Sequence, residues 1–110
     1  MPGTLTTIWW RHIPAQVVAA RDRRTQHKVV LHRRFQVAID RAAVQAGKKS
    51  ANDYIAEWRR EAKPCGDDLE AIASAEAARL EAEYTKDVLL WLIAAGGVDL
   101  DRTELEDGPA

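Results

Sequence analysis

At 110 residues, with 46% apolar and 30% charged side chains, the chain has the composition of one globular domain with room for a single core. A formal net charge of −1 argues against a uniformly basic nucleic-acid-binding domain, and a single cysteine, Cys65, excludes an internal disulfide. The charge is lopsided, however: Met1 to Lys63 carries 13 Lys/Arg against 5 Asp/Glu, and Pro64 to Ala110 carries 3 against 12.

Leu5 to Arg11 reads as a strand, because Thr, Ile and Trp favour a pleated surface. It contains adjacent tryptophans, Trp9 and Trp10, whose side chains must leave a strand on opposite faces. One is expected under helices and the other to face outward, covered by the third helix, by arginine stems or by another molecule. Pro14 supplies no ladder donor and marks a break, a bulge or an edge. Residues 16–20 and 27–31 read as two further strands, joined into a hairpin by the polar stretch 21–26.

The period then changes. Phe35, Ala38, Ile39, Ala42, Ala43 and Ala46 recur at helical spacing, which predicts a first helix over 33–46 with Gly47 as its C-cap. Ser50 with Asp53, or Asn52, caps a second helix whose stripe is Tyr54, Ile55, Trp58 and Ala62, ended by Pro64 and Gly66. Asp67-Asp68 opens a third helix, striped by Leu69, Ile72, Ala73, Ala77, Leu80 and Tyr84. Thr85 or Asp87 caps a separate fourth helix closed by Gly96-Gly97, unless the third runs through unbroken. The expected fold is therefore α+β, a small antiparallel sheet of two to three N-terminal strands packed against three or four helices. One domain is expected over 1–98, followed by an acidic, flexible tail over 99–110.

The residues give little support to catalysis. The glycines are placed as helix caps rather than in a phosphate loop. His12, His27, His32 and Cys65 do not fall at metal-ligand spacings, so no metal or cofactor is expected. The start of the chain has no secretory pattern, and the apolar run 88–95 is shorter than the roughly 20 residues a bilayer span needs. A cytoplasmic protein not attached to a membrane is the expectation.

Three stretches, "IWWRHIPAQVVAARDRR", "KVVLHRRFQVAIDRAAVQAG" and "DYIAEWRR", together resemble the bacterial virulence factor domain family. That domain also occurs attached to HEAT-repeat proteins of the conserved virulence factor C type. The likeness covers about Thr7 to Arg60. The family has no defined activity to transfer. Its stand-alone members keep company with corrinoid and folate one-carbon methyl-transfer proteins, which makes a larger enzyme or corrinoid protein of that chemistry the partner the resemblance implies.

The expected function is a non-catalytic interaction module docking through Trp10, Arg11, His12, Arg23 and Arg24, since aromatic and arginine side chains dominate binding hot spots. The alternative is nucleic-acid or anionic-ligand binding through the basic hairpin of Arg21, Arg23, Arg24 and Lys28, with Arg33 and Arg34 just beyond the third strand. A third reading, an enzyme subunit active only in a complex, requires a pocket walled by Arg11, His12 and Tyr54. A homodimer through the C-terminal apolar helix is a further form of association that the sequence leaves open.

Overall fold

The computed structural model describes residues 3–98 apart from Lys49; the expected tail over 99–110 lies outside the described residues. In chain order the elements are β1 (Gly3–Trp10), β2 (Ile13–Ala20), β3 (Gln26–Val30), α1 (Arg33–Gln45), α2 (Ala51–Ala56), β4 (Trp58–Cys65), α3 (Leu69–Glu83) and α4 (Lys86–Ala94). The fold is α+β, as the strands-then-helices order suggests. The sheet has four strands rather than two or three, all antiparallel, in the order β3-β2-β1-β4.

The additional strand replaces half of a helix. The expected second helix stops at Ala56, and Trp58–Cys65 pairs with β1 along its whole length, from Trp10↔Trp58 to Gly3↔Cys65. The segment Arg59-Arg60-Glu61-Ala62-Lys63 has good helix formers, and the free edge of β1 overrides that preference. As an edge strand β4 tolerates both its charges and Pro64, which discourage further pairing. Pro14 lies inside β2, opposite Trp9, where the β1–β2 register shifts through a bulge, and the missing donor is accommodated there.

Three N-caps are those the sequence marks, while α1 is capped by His32, whose Nδ1 accepts from Arg34 N. Ser50 Oγ accepts from Asp53 N, Asp68 Oδ1 from Ala71 N, and Thr85 Oγ1 from Val88 N at 3.4 Å, so α3 and α4 are separate helices. α3 crosses β2 and β3 and reaches β1, burying Leu69, Ala73, Ala77 and Leu80 against Leu5, Val17 and Ala19. α1 packs beside α4 at the β1–β2 turn and contributes Phe35, Ala38, Ile39, Ala42 and Ala43 to the same core. No helix of the described residues is long and apolar enough to cross a membrane.

Candidate functional site

The two tryptophans do leave β1 on opposite faces, and both are buried. Trp9 meets Tyr84 edge-on with ring centroids 6.0 Å apart, and the Arg59 guanidinium lies 5.1 Å over its ring. Trp10 has 0% of its surface exposed. It stacks on Tyr54 at 5.8 Å and donates from Nε1 to the Tyr54 carbonyl at 2.9 Å, while Ala42 and Gly97 close its far edge. The expected outward tryptophan is therefore corrected. α2 and the turn after α4 wrap the end of the sheet on its second face, so Trp10 offers no surface to a partner.

Arg11 is drawn into the same junction. It takes a positive φ of 53°, and its guanidinium donates to the Gly96 carbonyl at 3.1 Å and to Glu57 Oε2 at 3.2 Å. Lys48 reaches the same Glu57 oxygen at 3.1 Å. Burial pushes the Glu57 carboxyl up, but the hydrogen bonds and charges of Lys48 and Arg11 outweigh it and hold the group below its ordinary value. Arg59 Nε donates to the Arg11 carbonyl, and His12 N donates to the Gly97 carbonyl. A recess of about 430 Å³ opens beside Arg11, His12, Glu57, Trp58 and Arg59. Tyr54, expected on its wall, turns onto Trp10 instead.

Arg23 and Arg24 lie at the other end of the molecule. They are exposed at the β2–β3 turn, whereas Arg11 and His12 occupy the β1–β2 turn. The eight residues of β2 separate the two turns by roughly 25 Å. The five expected contact residues thus do not form one patch. At the tip, Asp22 Oδ1 accepts from Arg24 N and Thr25 N, both at 2.8 Å, and these hydrogen bonds hold the Asp22 carboxyl below its ordinary value. The basic cluster does not extend to Arg34, whose Nη2 donates to the Glu81 carbonyl at 2.8 Å near the end of α3.

Between the two turns lies a surface that the sequence reading missed. On the face of the sheet opposite α3, the row Arg60–Ile8–Gln16–Val30 and the row Ala62–Thr6–Val18–Lys28 run across all four strands. Their side chains are all partly or fully exposed, up to 66% at Val30. Thr4, Ala20, Gln26 and Pro64 continue the face toward the hairpin tip. No helix of the described residues lies on these rows. They carry two cations, Lys28 and Arg60, and no carboxylate. Among the described residues neither cation makes an ion pair.

At one end of this face stands Trp58, partly exposed and fixed by an edge-on contact with Tyr54 at 5.9 Å. Tyr54 in turn stacks on Trp10, so a ladder of three rings runs from the core to the surface. A shallow cavity of about 540 Å³ lies against Ile8, Gln16, Trp58 and Arg60. One signal for this face was present in the sequence: the run Val17-Val18-Ala19-Ala20 is apolar on both sides of its strand, a pattern of strands covered on both faces.

The family comparison coincides with this architecture. Residues 8–93, from the middle of β1 to the last turn of α4, match the family described as "Virulence factor". The chain belongs to that family. No curated protein and no solved structure matches it. In this Virulence factor domain the residues Trp9, Trp10, Arg11, Ile13 and Val17 of the first matching stretch belong to the core and the junction, while Gln16 stands on the open face. The tryptophan pair of that stretch builds the fold rather than displaying a surface.

Proposed function

We propose that this Virulence factor domain is a non-catalytic interaction module whose docking surface is the uncovered sheet face between the two turns. The observation that carries the reading is the pair of cross-strand rows with the partly exposed Ile8 and Val18 at their centre, on a sheet whose other face is packed by α3. A sheet is stable with one face wet, and a wet face ordinarily carries polar residues, so the apolar Ile8, Val18 and Ala20 on this one are the feature that stands out. Here the two central strands present Thr4, Thr6, Ile8, Gln16, Val18 and Ala20, none of them charged. The partner is a larger protein. An enzyme or corrinoid protein of folate-linked methyl transfer is the class that the company of related stand-alone domains brings forward.

The test is tagged purification from the native host with three proteins: wild type, Val18→Glu on the open face, and Val44→Glu on the exposed side of α1. A partner that survives high salt and nuclease, stays with Val44→Glu and is lost from Val18→Glu supports the reading, provided both variants melt like wild type. Equal retention by all three overturns it.

A second reading has its own observation. Arg21, Arg23 and Arg24 are exposed at the tip, on the same molecule as a face with cations and no carboxylates. Such a surface also suits single-stranded nucleic acid. Nucleic acid that copurifies and is lost steeply as salt rises would transfer the proposal to that ligand.

A further inference from the structure

We infer that the partner segment seated on the open sheet face is an amphipathic α-helix whose apolar stripe is flanked on both sides by carboxylates. The inference rests on the reading of that face as the docking surface, and names what docks. Its geometry follows from where the charges stand. The two central strands are neutral. The two edge strands each contribute to this face one cation that makes no ion pair among the described residues, Arg60 on β4 and Lys28 on β3. The sheet is about 14 Å wide between its outer strands, and a helix with side chains is about 10–12 Å across. A single helix running along β1 and β2 thus lays its stripe on Ile8, Thr6 and Val18 and brings its two flanks over Arg60 and Lys28.

The covered face already shows this solution. α3 approaches the sheet through Ala73 and Ala77, with Leu69 and Leu80 at its ends; Glu76 stands beside that stripe, near Leu5, Thr7 and Lys63 of the sheet, while Glu70 and Glu83 are exposed. The open face offers similar footing: Thr4, Thr6, Ala20 and Ala62 are small enough for a helix to come close. From Trp58 to Pro64 the footing is about 20 Å long, three to four helical turns. Trp58 then closes one end as a fixed aromatic stop.

Other occupants fit less well. A second copy of the same face would bring its own Lys28 and Arg60 and no carboxylate to meet the first pair. Single-stranded nucleic acid stacks on several rings in succession, and this face has one, at its edge. The requirement for carboxylates on both flanks comes from leaving neither cation unpaired as the surface is desolvated.

The probes are two stapled 18-residue helices with one identical leucine and alanine stripe, flanked by glutamate in the first and by lysine in the second, together with a 12-nucleotide oligouridine. Affinity is read by fluorescence anisotropy, and location by amide shifts in the wild-type chain. The expected result is binding of the glutamate helix at least tenfold tighter than the lysine helix, with shifts at Thr6, Ile8, Val18 and Arg60. The exposed double variant Lys28→Glu/Arg60→Glu should reverse the order, and Val18→Glu should abolish both. Equal affinities, no binding of either helix, or oligouridine alone shifting the face overturns the inference. The two proposals fail separately. If Val18→Glu still releases the natural partner while the helices bind alike, the docking surface stands and the acidic helix does not.

Discussion

Trp10 holds Tyr54 twice, once by its indole Nε1 donating to the Tyr54 carbonyl at 2.9 Å and once by ring stacking at 5.8 Å. α2 is only six residues long and buries none of its residues, so Trp10, together with Arg11 on Glu57 at its C-terminal end, fixes it to the sheet. Tyr54 then sets the pose of Trp58 at the end of the open face. The indole is thus a foundation of the candidate surface without belonging to it.

Trp10→Ala should therefore destabilise the domain by about 3–5 kcal/mol, the range for removing a large buried aromatic. Trp10→Phe should cost less while still leaving the Tyr54 carbonyl without its indole donor. Urea denaturation checks both. A loss below roughly 1 kcal/mol for Trp10→Ala would show that the indole is not structural. A partner lost with this variant must be separated from unfolding before it is attributed to contact.

Gly97→Ala should also destabilise, for two separable reasons. Gly97 sits at φ +88°, and a Cβ added there would lie 2.9 Å from Cζ3 of the Trp10 ring. The left-handed backbone costs a non-glycine residue about 1–2 kcal/mol, and overpacking adds roughly 1–3 kcal/mol. Gly47 is the control: its φ is +76°, but nothing lies within 4 Å of an added Cβ. Gly47→Ala should show the backbone cost alone in thermal or urea melts. Equal losses at the two glycines would mean that contact with Trp10 does not matter.

What could be read from the sequence divides along physical lines. Helices announced by local chemistry were legible: Ser50, Asp68 and Thr85 each cap where the side chain suggests, and Gly47, Gly96 and Gly97 take positive φ where a helix ends. β4 was not legible. Its pairing partner lies 48 to 62 residues earlier in the chain, and its own residues favour a helix. Losing β4 hid the surface with it, because Trp58, Arg60 and Ala62 share a face only in a strand. The hairpin arginines stand exposed at the turn where the sequence places them, while the tryptophan pair is buried on both faces. Sequence alternation shows that Trp9 and Trp10 diverge but cannot show that both faces are covered at that end.

Stability should fall on acidification below the ordinary carboxyl range. For Glu57, burial raises the carboxyl and the Lys48 and Arg11 contacts lower it further, to a net depression. For Glu76, the hydrogen bond from Arg79 is the main cause of lowering, opposed by burial and aided by the charges of Arg79 and Lys63. A carboxyl whose folded value lies below its unfolded one contributes stability above the unfolded value, and that contribution disappears as pH drops through the folded value. The melting temperature should therefore hold steady above an ordinary glutamate value of 4.5 and decline beneath it. Glu57→Gln should flatten part of that decline and lower stability at neutral pH. An unchanged acid profile in Glu57→Gln would show that the junction does not depend on the charge.

Arg11→Lys tests whether the junction needs a guanidinium or only a cation. Arg11 uses two different nitrogens, Nη1 toward the Gly96 carbonyl and Nη2 toward Glu57, and its carbon Cζ lies 5.5 Å over the Trp10 ring. A lysine ammonium is a compact point charge on a flexible stem and cannot reproduce the planar fork that spans these two acceptors. One of the two contacts should be lost, at a cost of about 1–3 kcal/mol for a hydrogen bond involving a charged group. The Gly96 carbonyl is the one expected to lose its partner, because Glu57 retains both an opposite charge and Lys48. Hydrogen exchange then distinguishes this from a uniform loss of stability. The amides of His12 and Gly97, which bond to the Gly97 and Leu92 carbonyls, should exchange faster relative to the core amides of β1 and β2. Uniform acceleration would indicate that Arg11 contributes only global stability, and unchanged exchange would show that a single positive charge suffices at the turn.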